Sequence, residues 1–264
     1  MGAKDISVVG MVCAFATILV SIIVLRITRV RLVGALLVAA GRMSVQLALV
    51  GLYLTFLFRL NNPLVNLGYV LLMVAVANLA VLRSSGLASR MFVFTFPALL
   101  VAIGATLGFY IVLVYRPQPL FDARYVIPVA GMLLGNSMSR TIITLERFYT
   151  SIARDPEGHA SLLSMGATVR EAVLPYLSEA YRAGLAPALA NMATMGIVFL
   201  PGMMTGQILG GSEPVVAIKY QITIILAIFA ATELASFLSV LFSLRGAFDE
   251  LGFLRPETLK RQGA

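Results

Sequence analysis

The chain has 264 residues, of which 59% are apolar and only 12% are Asp, Glu, Lys or Arg, about half the charged share of a soluble domain. With a mean hydropathy of +0.94, too little polar surface remains to cover a water-exposed particle, so a soluble globule is excluded and an all-α polytopic membrane protein is expected. One cysteine, Cys13, and one histidine, His159, exclude a disulfide framework and a zinc or haem cluster, and the net charge of +8 sits between apolar runs rather than on a face built for nucleic acid.

Seven apolar windows follow in chain order: Ile6 to Leu25, Leu32 to Phe58, Leu64 to Leu82, Met91 to Tyr115, Tyr125 to Leu145, Leu185 to Leu200 and Ala217 to Phe242. Each is read as one span, giving about seven transmembrane helices in a single transmembrane domain over residues 1–264. Lys and Arg in alternate connections divide thirteen against five. The rich set runs from Arg26, Arg29 and Arg31 to Arg245, Arg255, Lys260 and Arg261, and the poor set is Lys4, Arg59, Arg116, Arg124 and Lys219. The positive-inside rule then places the N-terminus outside and the C-terminus, with a tail over 245–264, in the cytoplasm, for a multi-pass protein of the cell (inner) membrane.

The longest connection, 146–184, is polar but helical by its local signals. Asp155 can cap a helix opened by Pro156 and Glu157, Gly166 can close it, and Thr168 with Glu171 forms a capping box ahead of Val169, Val173, Leu174 and Leu177. A cytoplasmic helix-turn-helix against the membrane is expected here, serving either to dock a partner or to anchor the chain at the interface.

Two stretches share Pro, then Gly-Met-x-x-Gly, then an amide: Pro128 through Gly131, Met132, Gly135 and Asn136, and Pro201 through Gly202, Met203, Met204, Gly206 and Gln207. The glycines permit close backbone approach, the prolines remove helical hydrogen bonds, and the amides bring donors and an acceptor to membrane depth. These segments are either packing seams or interrupted helices around a shared pathway.

Further polar groups within the windows include Arg42, Arg140, Asn191, Gln221 and Glu233. Each ionisable one is expected to face protein or a wet cavity, as a structural pair or in transport. Met132, Met138, Met192, Met195, Met203 and Met204 crowd the same segments, as flexible packers or as soft thioether ligands. The candidate pathway is therefore Met132, Asn136, Met138, Arg140, Asn191, Met203, Met204, Gln207 and Glu233, with no assigned metal ligands and no cofactor. His159 is expected to be a surface or contact residue. No G-x-x-x-x-G-K-[ST] loop is present, so any ATP-driven motor must be another chain.

The runs Ile127 to Met138, Ser164 to Ala172 and Leu200 to Leu209 resemble the FetB family of ABC transporter permeases, the membrane half of bacterial iron exporters with plant relatives in aluminium tolerance. The resemblance implies an exporter of two permease copies and two separate FetA-like ATPase subunits in the bilayer, with no enzymatic activity of the permease itself. It also implies that Leu162, Leu163, Met165, Gly166, Ala167, Arg170 and Glu171 form the ATPase-coupling loop. Ala160 to Ala167 keeps the Ala and Gly-Ala of the usual coupling pattern but lacks its leading Glu. Iron or another metal is the implied cargo. An organic or metal-chelate substrate such as a nucleotide sugar, and an ATP-independent channel or scaffold, are the competing readings.

Overall fold

The computed structural model describes residues 6–260; Lys4 and Arg261, used in the charge count, lie outside them. Among the described residues the regular structure is helical: α1 (Val8–Ala16), α2 (Ile18–Ile27), α3 (Val33–Leu60), α4 (Pro63–Ser84), α5 (Phe92–Phe109), α6 (Ala123–Arg154), α7 (Pro156–Ser164), α8 (Val169–Thr194), α9 (Gly202–Leu209) and α10 (Pro214–Ala247). The chain is an all-α polytopic membrane protein. Among the described residues six stretches are long and apolar enough to cross a bilayer: Val8–Ile27, Val33–Leu60, Pro63–Ser84, Ser89–Tyr115, Ala123–Arg154 and Pro214–Ala247.

Local chemistry sets the boundaries. Asn61 ends α3 in the left-handed region at φ 37°, and Asn62 accepts a hydrogen bond from the Leu64 amide at 2.9 Å while Pro63 supplies the first helical φ of α4. The Asn61 side chain also accepts from the Ala123 amide at 2.9 Å, which pins this hairpin to the start of α6. Asp122 caps α6 through the Arg124 amide at 2.8 Å.

The core lies between α4, α5, α6, α8 and α10, where Val74, Leu99, Ala102, Ala130, Leu133, Ala227, Ala231 and Ala235 are buried. Alanines line the α10 side, where Ala227, Ala231 and Ala235 follow at four-residue spacing, because close helix approach, not the hydrophobic effect, holds helices together in lipid. By contrast α1 and α2 bury nothing, and α3 buries only Leu57, against Ala123 and Ile127.

The window Leu185 to Leu200 does not form one span. Its first half is the end of α8, the chain then turns at Gly196 (φ 84°), and α9 starts after Pro201. Gly196 occupies a conformation that side chains avoid, and Pro201 cannot continue a helix from Leu200, so hydropathy alone overestimates the helix. The chain nevertheless returns across the bundle here. Ser137 meets Thr232, Thr141 meets Ser236 and Tyr149 meets Ser243, so α6 and α10 run parallel, whereas Tyr176 meets Asp155 and Gly184 faces Thr144, so α8 runs antiparallel to α6. Parallel neighbours need a return path between them. It is made of two pieces, α8 and α9, rather than one helix.

A second outcome concerns Pro128, whose motif is open to two readings, a packing seam or an interrupted helix. It lies inside unbroken α6, in the second turn, where only the bond to the Arg124 carbonyl is lost. The connection 146–184 is likewise almost wholly helical, consisting of the end of α6, all of α7 and the first part of α8.

Candidate functional site

A cavity of about 470 Å³ opens between α6, α8, the Met195–Pro201 bend, α9 and α10. Its polar lining comes from Asn136, Ser139 and Arg140 of α6, Asn191 of α8, and Gln221 and Thr232 of α10. Its apolar lining includes Ile224, Ile228, Phe199, Met132, Met192, Met195 and Met203. A groove of about 530 Å³ between α4, α5 and α6 is larger but carries a single polar residue, Asn66, and lacks converging groups.

Arg140 anchors the end of the cavity nearer α7. It is 4% exposed, its Nη1 lies 2.6 Å from Glu233 Oε1, and its guanidinium carbon sits 5.7 Å over the Tyr181 ring. The ion pair is close but misaligned, because neither Nη1 nor Oε1 makes a well-directed hydrogen bond. Nε and Nη2 have no partner at all. Proximity of opposite charges is what compensates the buried guanidinium here, and it leaves donor capacity over. Gly184 makes the room: a Cβ there would stand 3.0 Å from Thr144 Oγ1 and 3.3 Å from Arg140 Cγ.

Of the predicted pathway residues, Met132, Asn136, Arg140, Asn191 and Met203 line this cavity, and Glu233 joins it through Arg140. Met138 packs against the core, Met204 is buried, and Gln207 lies off the cavity, half-buried, with its Oε1 unpartnered. The two motifs are thus not equivalent. Asn136 reaches the cavity while its Nδ2 donates back to the Met132 carbonyl at 2.8 Å. Sequence reasoning missed Gly184 and Tyr181, and it noted Gln221 as a polar group within a span without placing it in the pathway. Gln221 is 6% exposed with an unpartnered Oε1, and its signal was an amide within a long apolar run.

The second functional feature is the corner between α7 and α8. Asp155 accepts from the Gly158 amide at 3.0 Å to start α7, as its sequence implies. At the other end the Gly166 amide donates to the Leu163 carbonyl and the Ala167 amide to the Leu162 carbonyl, a paired cap that requires Gly166 at φ 92°. The capping box then forms as expected, with Glu171 Oε2 accepting from the Thr168 amide at 2.8 Å and from its hydroxyl at 2.7 Å. These bonds hold the Glu171 carboxyl below the usual carboxylate range. Tyr176 donates to Asp155 Oδ2 at 2.8 Å, and burial, followed by that carboxylate, pushes its phenol up to about 12.

Met165, 72% exposed, stands at the tip with Arg170 and Glu171 also exposed, while Leu162, Leu163 and Ala167 are half-buried. Leu174, expected on the apolar stripe, faces outward instead, because α8 turns Val169, Val173 and Leu177 inward.

His159 is not a surface residue. It is 2% exposed, its Nε2 donates to the Gly252 carbonyl at 2.9 Å, and it lies between Tyr176 and Phe248. This contact belongs to a strap over residues 248–260 that folds back across the end of the bundle. Arg255 donates from its amide to the Ala247 carbonyl at 2.8 Å, Lys260 to the Gly86 carbonyl at 2.8 Å, and the Ala88 amide to the Thr258 carbonyl at 2.9 Å. Arg90 and Glu257 close it with an ion pair at 2.6 Å.

Comparison with known proteins follows the same outline. Residues 8–248 match the model of "Uncharacterised protein family (UPF0014)", and the chain belongs to that family. It is similar to the "UPF0014 membrane protein YjkA" of Bacillus subtilis, at 35% identity over 75% of this chain and 78% of that one. It is 28% identical to the "Probable iron export permease protein FetB" of Escherichia coli over 99% of this chain and 100% of that protein, and 30% identical to "Protein ALUMINUM SENSITIVE 3" of Arabidopsis thaliana over 86% and 82%. No solved structure matches.

Proposed function

We propose that this UPF0014 membrane permease is the transmembrane subunit of an ATP-driven exporter of iron or another metal, working as two copies with two separate FetA-like ABC ATPase subunits. The observation that carries the reading is the α7–α8 corner. A tight turn fixed by two adjoining caps, with an exposed apolar tip and flanking charges, is a rigid docking feature rather than a slack connector. The name of the Escherichia coli relative supports the cargo and direction.

The second copy has its own support. Arg42 is exposed on α3, about 14 Å along that span from its first residue, with no ion-pair partner among the described residues. An unpaired guanidinium facing lipid is costly, so α3 is a surface that another subunit completes. The basic-residue distribution supports an external N-terminus and a cytoplasmic C-terminus in the inner membrane of a bacterial cell.

Affinity purification of the full chain from its native membrane tests the assembly. An ABC ATPase is expected to accompany it, and the reconstituted complex is expected to hydrolyse ATP faster with iron. Gly166→Val, which cannot hold φ 92° without strain, is expected to insert normally and lose the ATPase. Retention of the ATPase and of transport by that variant refutes the assignment of the corner.

A further inference from the structure

We propose that the cavity binds its cargo as a compact organic oxyanion, or as the complex of a metal with one, and that Arg140 contacts the anion; protein side chains do not ligate a bare cation there. This deepens the exporter reading and rests on it for the identity of the site. A hard cation stripped of water needs several oxygen ligands, among them carboxylates. Among the described residues no three His, Cys, Asp or Glu side chains come together anywhere. The one carboxylate beside the cavity, Glu233, is already held 2.6 Å from Arg140. What the cavity offers instead is donors.

Arg140 lines it with two unpartnered nitrogens, Nε and Nη2, on a side chain that is nineteen-twentieths buried. Asn191 and Ser139 add neutral polar groups around the same end, and Gln221 stands further along with an unsatisfied oxygen. A guanidinium with spare N–H groups in a water-poor wall matches the geometry of a carboxylate or phosphate. Glu233 neutralises the resting charge, so the empty cavity does not hold an isolated cation, and Tyr181 keeps the guanidinium plane in place from the other side. The remaining lining of Ile, Phe and Met accommodates an apolar body, and about 470 Å³ is in the range of small-molecule sites. Arg140 is at the α7 end, the side on which an exporter receives its cargo.

The test uses the full chain in lipid nanodiscs and reads thermal unfolding against citrate, malate, inorganic phosphate, ferric citrate and ferrous ion alone, since a ligand that binds the folded state raises the midpoint. Citrate or malate, and ferric citrate, are expected to raise it, and ferrous ion alone is not. Arg140→Gln by itself strands Glu233, so the decisive variant is Arg140→Gln with Glu233→Gln, a neutral pair of similar size. It is expected to fold with wild-type yield and to weaken anion binding by tenfold or more. Gln221→Leu, away from the charges, is expected to weaken it less. The inference is overturned if ferrous ion alone stabilises the wild type while the anions do not, if none of the probes does, or if the neutral pair binds citrate like wild type. Failure here with iron-stimulated ATP hydrolysis intact leaves the exporter standing. Loss of the ATPase partner with anion binding intact overturns the exporter and not the site.

Discussion

On one wall of the cavity, Pro128 sits in a helix that continues without a break to Arg154; on the other, Pro201 begins a new helix after a turn, although both prolines lead the same glycine, methionine and amide pattern. The α6 wall is clamped. Ala130 and Leu133 are buried against neighbours, and hydroxyl pairs Ser137 with Thr232 and Thr141 with Ser236 stitch it to α10 at a constant offset of 95 residues. The α9 wall is looser: of its residues Met204 alone is buried, and a Cβ added to Gly202 or Gly206 would meet nothing within 4 Å, as at Gly135 of α6. Proline and glycine therefore do not dictate a break. They permit one, and tertiary contact decides whether it happens.

The sharpest way to break this contrast is to fill one glycine that packs on α6, Gly184 of α8, and one within α9. Gly184→Val is expected to destabilise the fold by about 1–3 kcal/mol, because its side chain collides with Thr144 and displaces Arg140. Gly206→Ala is expected to be neutral or to stabilise α9 by about 0.5–1 kcal/mol, through helix propensity alone. Thermal unfolding of the two variants in detergent provides the check, and equal losses would erase the distinction between the walls.

A smaller effect separates the two amides. Asn136→Leu removes a polar group from the cavity, and vesicle export is expected to fall roughly 2- to 10-fold, the worth of one hydrogen bond. Gln207→Leu, off the cavity, is expected to export normally and to gain slightly in stability as its unpaired oxygen disappears. A reversed order would move the pathway to the α9 side.

The smallest effect lies where α8 begins. The Glu171 carboxyl titrates below its ordinary value because Thr168 donates to its charged form. Its contribution is therefore full above the ordinary carboxylate range and is lost as pH falls through the lowered folded value. Amide exchange at Ala172 and Val173 is expected to quicken on acidification in wild type, and this dependence is expected to disappear in Glu171→Gln, which retains part of the cap. An unchanged acid response in the variant would assign it to another group.

Much of this was legible in the sequence because it is local. The Asp155 cap, the Gly166 turn and the Thr168–Glu171 box are each fixed by residues within a few positions, and the long spans follow from hydropathy. Arg140 and Glu233 were legible as expensive charges within the spans, but that they pair with each other was not. What escaped was the non-local part. The two-piece return at Met195–Pro201 depends on a turn that a hydropathy window averages away. Gly184 matters only because Arg140 and Thr144 arrive opposite it, and His159 is buried only because Gly252 folds back over it.

The strap has a consequence for how the molecule is made. The turn between α4 and α5 exposes the Gly86 carbonyl and the Ala88 amide as soon as those helices are inserted, yet their partners, Lys260 and Thr258, are translated only after α10. Until then the α4–α5 end of the bundle stays unlatched. The bundle is latched at that end by a segment that lies beyond its last long helix, so latching follows the insertion of α10.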